Sequence, residues 1–412
     1  MSASTDIGSR LDPRAFLIAK TDQAVEVLKE KGIDVWLTYV RESMSNVDPC
    51  LELIFDGDLT WESAIIITAE GEKIAIVAVH DAPDIEESEI YHRVIGYREG
   101  ISEPLVNTIV RLNPRSIAVN FSENDPLADG LGAGLLRLLR RRFENTIFAD
   151  RLVSAEDIIW SLRAQKLDME VEAIRRSVHE TETILEEAAR EIRIGMTGRE
   201  LADSIRNRAR DRGFECAWTP QICPLVSTGP TSRIGHVSPS GEEIAPGSLV
   251  HVTFGIRFDG YCSDIQRVWY VPDATDGPPE AVQRAFTTIV AAITKAAKAL
   301  RPGRQGWEID QIARDHLVGE GYEEYHHALG HQLGRAPHDG GGATLAPRWE
   351  RYNETPYGKV EPGSVFTLEP SIILPEFGLV ALEEVVLVTQ AGTTFLSEPQ
   401  TGLKVLDLGC AD

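Results

Sequence analysis

The sequence has few cysteines, no long apolar run and no excess of basic residues. Its 412 residues include five cysteines, which form no CxxC pair and are odd in number. Neither a structural zinc site nor a disulfide framework is therefore expected, and we predict free thiols. No apolar run is long enough to span a bilayer, and the first residues lack the apolar core of a signal peptide. We expect a cytoplasmic protein with no membrane partner.

The acidic balance of the chain limits its partners further. Lys and Arg number 41 against 64 Asp and Glu, so the formal net charge is −23. Binding to nucleic-acid phosphates requires a basic face, and we therefore expect no nucleic-acid partner. Apolar residues make up 42% and charged residues 25%, which is typical of a globular protein. The length favours two domains.

The first part of the chain alternates helical and strand patterns. The patterns predict helices at 13–31, 103–111 and 128–143, and strands at 33–39, 63–79 (two strands joined at Glu70-Gly71), 116–120 and 146–149. Alternation of this kind is typical of an α/β domain with a central sheet. We predict such a domain over residues 1–160, and it contains no catalytic motif.

Residues 161–412 show long strand patterns together with a few helices. Apolar residues at helical spacing predict one continuous helix over 150–195, and a second helix is predicted at 306–318. Strands are predicted at 249–258, 261–271, 364–369 and 380–389. Helices and strands in one region indicate an α+β domain with a curved antiparallel sheet backed by helices.

The stretch "HVTFGIRFDGYCSDIQR" at 251–267 predicts a β-hairpin. Asp259-Gly260 is a dipeptide that suits a tight two-residue turn. The turn sets the register, which pairs Phe258 with Tyr261, Gly255 with Asp264, and Thr253 with Gln266. Thr253 and Asp264 then become diagonal neighbours on one face, within reach of one shared ligand.

Three carboxylates and one imidazole form a candidate metal site. The four residues are Asp264 on the hairpin, His331 in "GHQLG", Glu369 in "LEP" and Glu383 in "LEEVVLVT". Strand alternation places Glu383 on one face with Ala381, and Glu384 on the other. Carboxylates among apolar strand residues are costly to bury unless they are paired or metal-bound. This set of donors suits Mn, Fe, Co or Zn.

The order and spacing of these motifs resemble the pita-bread metallopeptidase family, which includes methionine aminopeptidase, aminopeptidase P, prolidase and creatinase. The resemblance covers roughly 165–405, and the N-terminal α/β domain fits the creatinase, prolidase and aminopeptidase P branch. It implies a C-terminal pita-bread domain preceded by a creatinase-type domain. It also implies a homodimer in which a neighbouring N-terminal domain helps to close the active site.

Two positions depart from the family pattern. Thr253 stands where the family has the first hairpin Asp, and Ala381 stands where an Arg is common. The resemblance implies that one cation keeps its full ligand set, Asp264, His331, Glu369 and Glu383, while a second cation loses a ligand. We therefore expect one divalent cation per chain. Since an Arg next to fewer carboxylates becomes unfavourable, the changes at Thr253 and Ala381 are hypothesised to be coupled.

Three further histidines match family positions that contact the substrate or the leaving group. They are His236 in "SRIGHVSP", and His327 and His338 on either side of His331. The resemblance gives these histidines catalytic roles in orienting the substrate and stabilising the tetrahedral intermediate. Glu369 is expected to accept the proton of the attacking water.

The leading hypothesis is a metal-dependent hydrolase of a C–N bond, similar to an Xaa-Pro dipeptidase or aminopeptidase, with a small peptide as substrate. An alternative is a creatinase-like or ring-opening hydrolase of a small amide or amidine, because the loss of one ligand weakens the peptidase assignment. A third hypothesis is a non-catalytic binding module with this fold. The sequence leaves the choice between peptide and small-molecule substrate open, because the fold alone does not determine function.

Overall fold

The structure is a computed structural model that describes residues 10–235, 238–239, 241–273 and 277–407. The chain forms two compact units. One contains the residues up to Arg163 together with Gly340–Gly342, and the other contains Ala164–Asp339 and the chain from Ala343 onward. Within the described ranges, no helix combines the length and the apolar character needed to cross a membrane.

The first unit is built on a mixed six-stranded sheet. Its strands are β1 (Val35–Val40), β2 (Ser63–Thr68), β3 (Lys73–Ala78), β4 (Arg93–Tyr97), β5 (Ile117–Val119) and β6 (Leu152–Ser154), in the order β4-β3-β2-β1-β5-β6. The helices up to Ala164 are α1 (Pro13–Lys31), α2 (Leu51–Ile54), α3 (Ala82–Ser88), α4 (Ser102–Leu112), α5 (Ala133–Arg142) and α6 (Glu156–Ala164). Every residue of β1, β2 and β3 is buried, which explains their nearly continuous apolar sequences.

The strand predicted at 146–149 is wrong, because the strand in this region is β6. Residues before it form a turn in which the Thr146 hydroxyl donates to the Phe143 carbonyl at 2.7 Å and accepts from the Phe148 amide at 3.2 Å. Asn145 begins this turn with a φ of 65°. A threonine side chain that bonds the neighbouring backbone in this way competes with strand pairing.

The second unit is an α+β assembly of small sheets and helices. The helices are α7 (Asp168–Ala189), α8 (Gly198–Asp211), α9 (Glu280–Ala299) and α10 (Gly306–Gly319). The strands are β7 (Glu215–Cys216), β8 (Leu225–Thr228), β9 (Leu249–Phe254), β10 (Ile256–Phe258), β11 (Tyr261–Cys262), β12 (Ile265–Tyr270), β13 (Val365–Leu368), β14 (Ser371–Leu374), β15 (Gly378–Ala381), β16 (Glu384–Thr389), β17 (Gly392–Phe395) and β18 (Lys404–Val405).

These strands form four sheets, with the orders β18-β12-β9-β8, β11-β10-β7, β13-β16-β17 and β14-β15. Their pairs are antiparallel except for β12 with β18. Helices α9 and α10 share one apolar core with the sheets, for example through Phe286, Leu317 and Phe366. The predicted α+β class is confirmed, with several short sheets where one curved sheet was expected.

The continuous helix predicted over 150–195 is wrong, because the chain breaks between α6 and α7. The Lys166 amide donates to the Gly363 carbonyl at 3.3 Å, and the Leu167 amide donates to Glu170 Oε2 at 2.8 Å. The glutamate thus satisfies an amide at the start of α7, which begins a new helix. The periodic apolar pattern continues across the break and therefore conceals it.

The register predicted for the hairpin is confirmed. Phe258 pairs with Tyr261, and Thr253 pairs with Gln266. The hairpin is divided between two sheets at Gly255, where a Cβ atom would lie 2.0 Å from the Ser263 carbonyl oxygen. Only glycine allows the two backbones to approach this closely. The approach places Asp264 immediately before β12.

Candidate metal centre

Asp264 is a buried carboxylate that immediately precedes β12. Its side chain is mostly enclosed, and within the described residues its Oδ1 atom has no hydrogen-bond partner. A buried carboxylate oxygen without a donor is costly unless a cation compensates its charge. The surroundings of Asp264 therefore fit the metal-ligand role predicted for it.

His331 and Glu369 are brought together by backbone pairing between two segments. The Thr367 amide donates to the His331 carbonyl at 2.9 Å, and the Glu369 amide donates to the Leu329 carbonyl at 2.7 Å. A Cβ atom on Gly330 would lie 1.9 Å from the Thr367 carbonyl oxygen, so only glycine permits this pairing. As a result, His331 Nε2 lies 3.5 Å from Glu369 Oε1.

The His331 ring is oriented for metal binding by its own hydrogen bond. Its Nδ1 atom lies 3.2 Å from the Gln332 carbonyl oxygen, which can only accept a hydrogen bond. A neutral ring that donates through Nδ1 leaves a lone pair on Nε2. Burial lowers the pKa of His331 well below its usual value, and nearby His338 lowers it further. The imidazole is thus available as a neutral ligand.

Glu383 is held next to β12 by a backbone bridge to Gln266. Its amide donates to the Gln266 carbonyl at 3.3 Å, and neither of its carboxylate oxygens has a hydrogen-bond partner in the described part of the chain. Glu384 points to the other face, where its carboxylate pairs with Arg267 at 3.1 Å. Glu383 and Glu384 therefore face opposite ways, as predicted, and Glu383 faces the site. The single strand predicted at 380–389 is wrong, because Glu383 lies between β15 and β16, which belong to different sheets.

Asp264, His331 and Glu383 form one compact donor group. Each offers a ligand atom, and these atoms all lie within 4.8 Å of one another. Burial raises the pKa of Asp264 and of Glu383, and the proximity of other carboxylates in the site raises both further. Burial likewise raises the pKa of Glu369, with Glu383 adding to the shift. Carboxylates crowded in this way repel one another.

These residues fit a divalent cation. The positive charge of such a cation offsets the repulsion between the carboxylates. The cation also gives a partner to the oxygens of Asp264 and Glu383 that have no hydrogen-bond donor among the residues the structure describes. Three carboxylates and a neutral imidazole are the donor set that borderline divalent metals prefer. Of the four predicted ligands, Asp264, His331 and Glu383 form the compact group, and Glu369 joins it through its contact with His331.

Thr253 lies in β9 and is nearly buried. Its cross-strand partner is Gln266, so the two side chains share the face of the hairpin that leads to the site. Threonine has no charge to offer a cation. Ala381 is also buried, at the end of β15, where it pairs with Ser371. The coupling between Thr253 and Ala381 stays a prediction.

The predicted histidines differ in their surroundings. His338 is exposed, and its ring centroid lies 4.2 Å from that of His331. His327 Nδ1 lies 2.8 Å from the Ala328 carbonyl oxygen, and its Nε2 lies 2.8 Å from Ser371 Oγ. Burial lowers the pKa of His327 to about 4, so the ring is neutral. His236 lies outside the described residues.

Gln266 and His251 are site residues that sequence reasoning missed. Gln266 Nε2 donates to Glu369 Oε2 at 3.0 Å, and Gln266 Oε1 lies 2.9 Å from His251 Nε2. Both side chains are buried. The available signal was the strand alternation, which places His251 and Thr253 on one face of β9 with Gln266 opposite.

A family model for metallopeptidase family M24 matches residues 172–390, which is more than half of the chain. The chain belongs to metallopeptidase family M24. It is therefore a metallohydrolase, as the motifs predicted, and its fold is the pita-bread fold. Members of this family depend on divalent metal ions, in agreement with the donor group around Asp264.

The chain is also similar to individual peptidases and to solved structures. An Xaa-Pro dipeptidase of Pyrococcus furiosus is 30% identical over 249 residues, which cover 60% of this chain and 67% of that protein. The structure of dipeptidase PepE from Mycobacterium ulcerans matches with a TM-score of 0.74 at 22% identity, over 97% of this chain and 100% of that chain. The structure of an Xaa-Pro dipeptidase from Bacillus anthracis matches with a TM-score of 0.73 at 21% identity, over 95% of this chain and 100% of that chain. The structural matches establish the fold.

Proposed function

We propose that this M24 metallopeptidase hydrolyses the Xaa-Pro bond of short peptides with one divalent cation, Mn, Fe, Co or Zn, per chain. The observation that carries the proposal is the donor group of Asp264, His331 and Glu383, whose ligand atoms lie within 4.8 Å of one another. The Xaa-Pro dipeptidase of Pyrococcus furiosus supports the substrate class.

Asp264, His331, Glu369 and Glu383 would hold the cation. Thr253 offers only a hydroxyl where a second cation would need a carboxylate, so the proposal is limited to one cation. When bound, the divalent cation supplies Lewis acidity and makes water acidic enough to ionise near neutral pH. The remaining chemistry depends on protons and hydrogen bonds that the chain itself provides.

Glu369 is the proposed proton carrier. Its Oε2 atom is held by Gln266, its Oε1 atom faces His331, and a fifth of its side chain remains exposed, so water can reach it. Glu369 accepts a proton as the water oxygen bonds to the peptide carbonyl carbon. It then gives that proton to the proline nitrogen as the C–N bond breaks, which balances the hydrolysis.

The proposed substrate contacts come from His338 and His327. His338 is exposed beside His331, where a ring N–H can donate to the substrate carbonyl. His327 donates through Nδ1 to the Ala328 carbonyl, so its Nε2 accepts from the Ser371 hydroxyl. His327 thus positions the Ser371 hydroxyl, and we propose that the two residues together orient the substrate. The role of His236 stays a prediction.

The test is a substrate panel on the full chain supplied with Mn²⁺. We expect cleavage of Ala-Pro and Leu-Pro but little cleavage of Ala-Ala, measured by release of free proline or alanine. Glu369→Gln should lower kcat by roughly 100- to 10,000-fold, because it removes the proton acceptor. Glu376→Gln, at an exposed glutamate of the same unit, should leave kcat unchanged. Hydrolysis of small amides or amidines by metal-loaded protein that spares every Xaa-Pro peptide would refute the proposal.

A further inference from the structure

A chain of buried hydrogen bonds runs from His251 through Gln266 to Glu369. Gln266 Nε2 lies 3.0 Å from Glu369 Oε2, and Gln266 Oε1 lies 2.9 Å from His251 Nε2. His251 and Gln266 are only 4% and 8% exposed, so water cannot replace these contacts readily. Buried polar side chains that are fully paired in this way fix the positions of the groups they hold.

The chemistry of the partners fixes the orientation of the Gln266 amide. Gln266 Nε2 is the donor to Glu369 Oε2, so the NH₂ group of Gln266 faces the carboxylate. The Gln266 oxygen then faces His251, which must donate through Nε2. His251 is therefore the neutral tautomer with its proton on Nε2. One oxygen of Glu369 is held by the amide, and the other faces His331.

Gln266 lies on the side of the site that Thr253 leaves without charge. The two residues are cross-strand partners, so their side chains leave the hairpin next to each other. The backbone of Gln266 also accepts a hydrogen bond from Glu383. The N–H group of the Gln266 amide thus brings a partial positive charge to the Glu369 carboxylate. It does so next to Thr253, the position where the family pattern has an Asp.

We infer that Gln266 is a positioning residue whose amide, anchored by His251, holds Glu369 and takes the place of a second cation on the Thr253 side of the site. The inference rests on the one-cation centre of the proposed function. An amide N–H cannot supply Lewis acidity, but it holds Glu369 Oε2 and balances part of its charge. Glu369 Oε1 then stays directed at His331 although Thr253 has no charge to contribute.

The test is the Mn²⁺ content per chain and the Mn²⁺ affinity of Gln266 variants. Gln266→Glu keeps the size of the side chain but replaces the donor with a fourth carboxylate. It should raise the content from about one to about two Mn²⁺ per chain and give the electron paramagnetic resonance spectrum of a spin-coupled pair. Gln266→Met removes the donor without adding charge. It should keep one Mn²⁺ per chain and weaken its binding about 10- to 100-fold.

The matched control is Gln400→Met. Gln400 is similarly buried, at 5% exposed, but its amide bonds the backbone of Val268 rather than a carboxylate of the site. This variant should bind Mn²⁺ as the wild type does. The inference is overturned if Gln266→Glu binds one Mn²⁺ or none, or if Gln266→Met binds Mn²⁺ with wild-type affinity. Two Mn²⁺ in the wild type would instead contradict the one-cation centre itself.

Discussion

Replacing Lys166 by Met should strongly destabilise the second unit, because it breaks a buried ion pair. Lys166 Nζ lies 2.8 Å from Asp339 Oδ2, and the two side chains are only 1% and 3% exposed. Asp339 also accepts from the Ala336 amide, and its own amide donates to the Gln332 carbonyl. The pair therefore fixes the loop that begins at His331.

The expected magnitude follows from the burial of both partners. Removal of one member of a buried ion pair leaves the other charge uncompensated and costs about 3–5 kcal/mol. For a domain of 150–250 residues, each kcal/mol lowers Tm by roughly 2–4 °C. Lys166→Met should therefore lower the Tm of the second unit by roughly 6–20 °C. The introduced methionine fills the space of the lysine methylene chain, so the expected loss of stability comes from removing the positive charge.

The assay is differential scanning calorimetry of the metal-free protein. Lys404→Met is the matched control, because Lys404 forms a 3.5 Å ion pair with Glu186 in which both side chains are about half exposed. An exposed pair contributes roughly 0–1 kcal/mol, so this variant should keep nearly the wild-type Tm. The double variant Lys166→Met/Asp339→Asn should recover part of the loss, since it removes the buried carboxylate that Lys166 had paired with.

A Tm for Lys166→Met within 2 °C of the Lys404→Met value would refute this reasoning, because the buried pair would then behave like a surface pair. A double variant less stable than Lys166→Met alone would also contradict it. That result would assign the loss to the packing of the loop rather than to the charge of Asp339.

Two further predictions concern the segments around the site. Gly330→Ala should abolish Mn²⁺ binding in a titration, because its Cβ would lie 1.9 Å from the Thr367 carbonyl oxygen, whereas Gly319→Ala, with open space around it, should bind normally. Burial lowers the pKa of His251 to about 4, below the value of about 6.5 in the unfolded chain. The neutral His251 ring therefore contributes its full stabilisation above pH 6.5. As the pH falls from 6.5 toward 4, the free energy of unfolding should decrease by up to about 3 kcal/mol. Urea unfolding of the metal-free protein should show that the free energy of unfolding falls more steeply with decreasing pH in the wild type than in His251→Asn. The same pH dependence in both proteins would contradict the prediction.

The hairpin that carries Asp264 could be predicted from the sequence because its determinants are local. Asp259 and Gly260 both adopt positive φ angles, of 50° and 79°, as a tight turn requires. The turn then fixes the register, which pairs Phe258 with Tyr261 and Thr253 with Gln266. The division of the hairpin at Gly255 could not be predicted, because it depends on how closely the two backbones approach.

The donor residues were predicted as a set because each occurs in a recognisable motif. Their convergence depends on pairing between segments distant in sequence, such as the pairing of Leu329 with Glu369, which no local pattern shows. Gln266 was missed for the same reason. A glutamine in a strand is ordinary, and its role becomes visible only when His251 and Glu369 are found at its two ends.

The break between α6 and α7 shows a limit of periodicity. The apolar spacing of α6 and α7 looks continuous along the sequence, yet Lys166 lies between the two helices and pairs with Asp339. A buried contact with a residue far along the chain thus overrides local helix propensity. The roles predicted for His327 and His338 stay predictions, because they depend on a substrate.

The metal content of the wild-type chain tests the central claim most directly. The protein is dialysed against Mn²⁺, separated from free metal by gel filtration, and measured by mass spectrometry, with Asp264→Ala in parallel. The one-cation centre predicts about one Mn²⁺ per wild-type chain and almost none in Asp264→Ala, because Asp264 belongs to the compact donor group. Two Mn²⁺ per wild-type chain, or none, would contradict it.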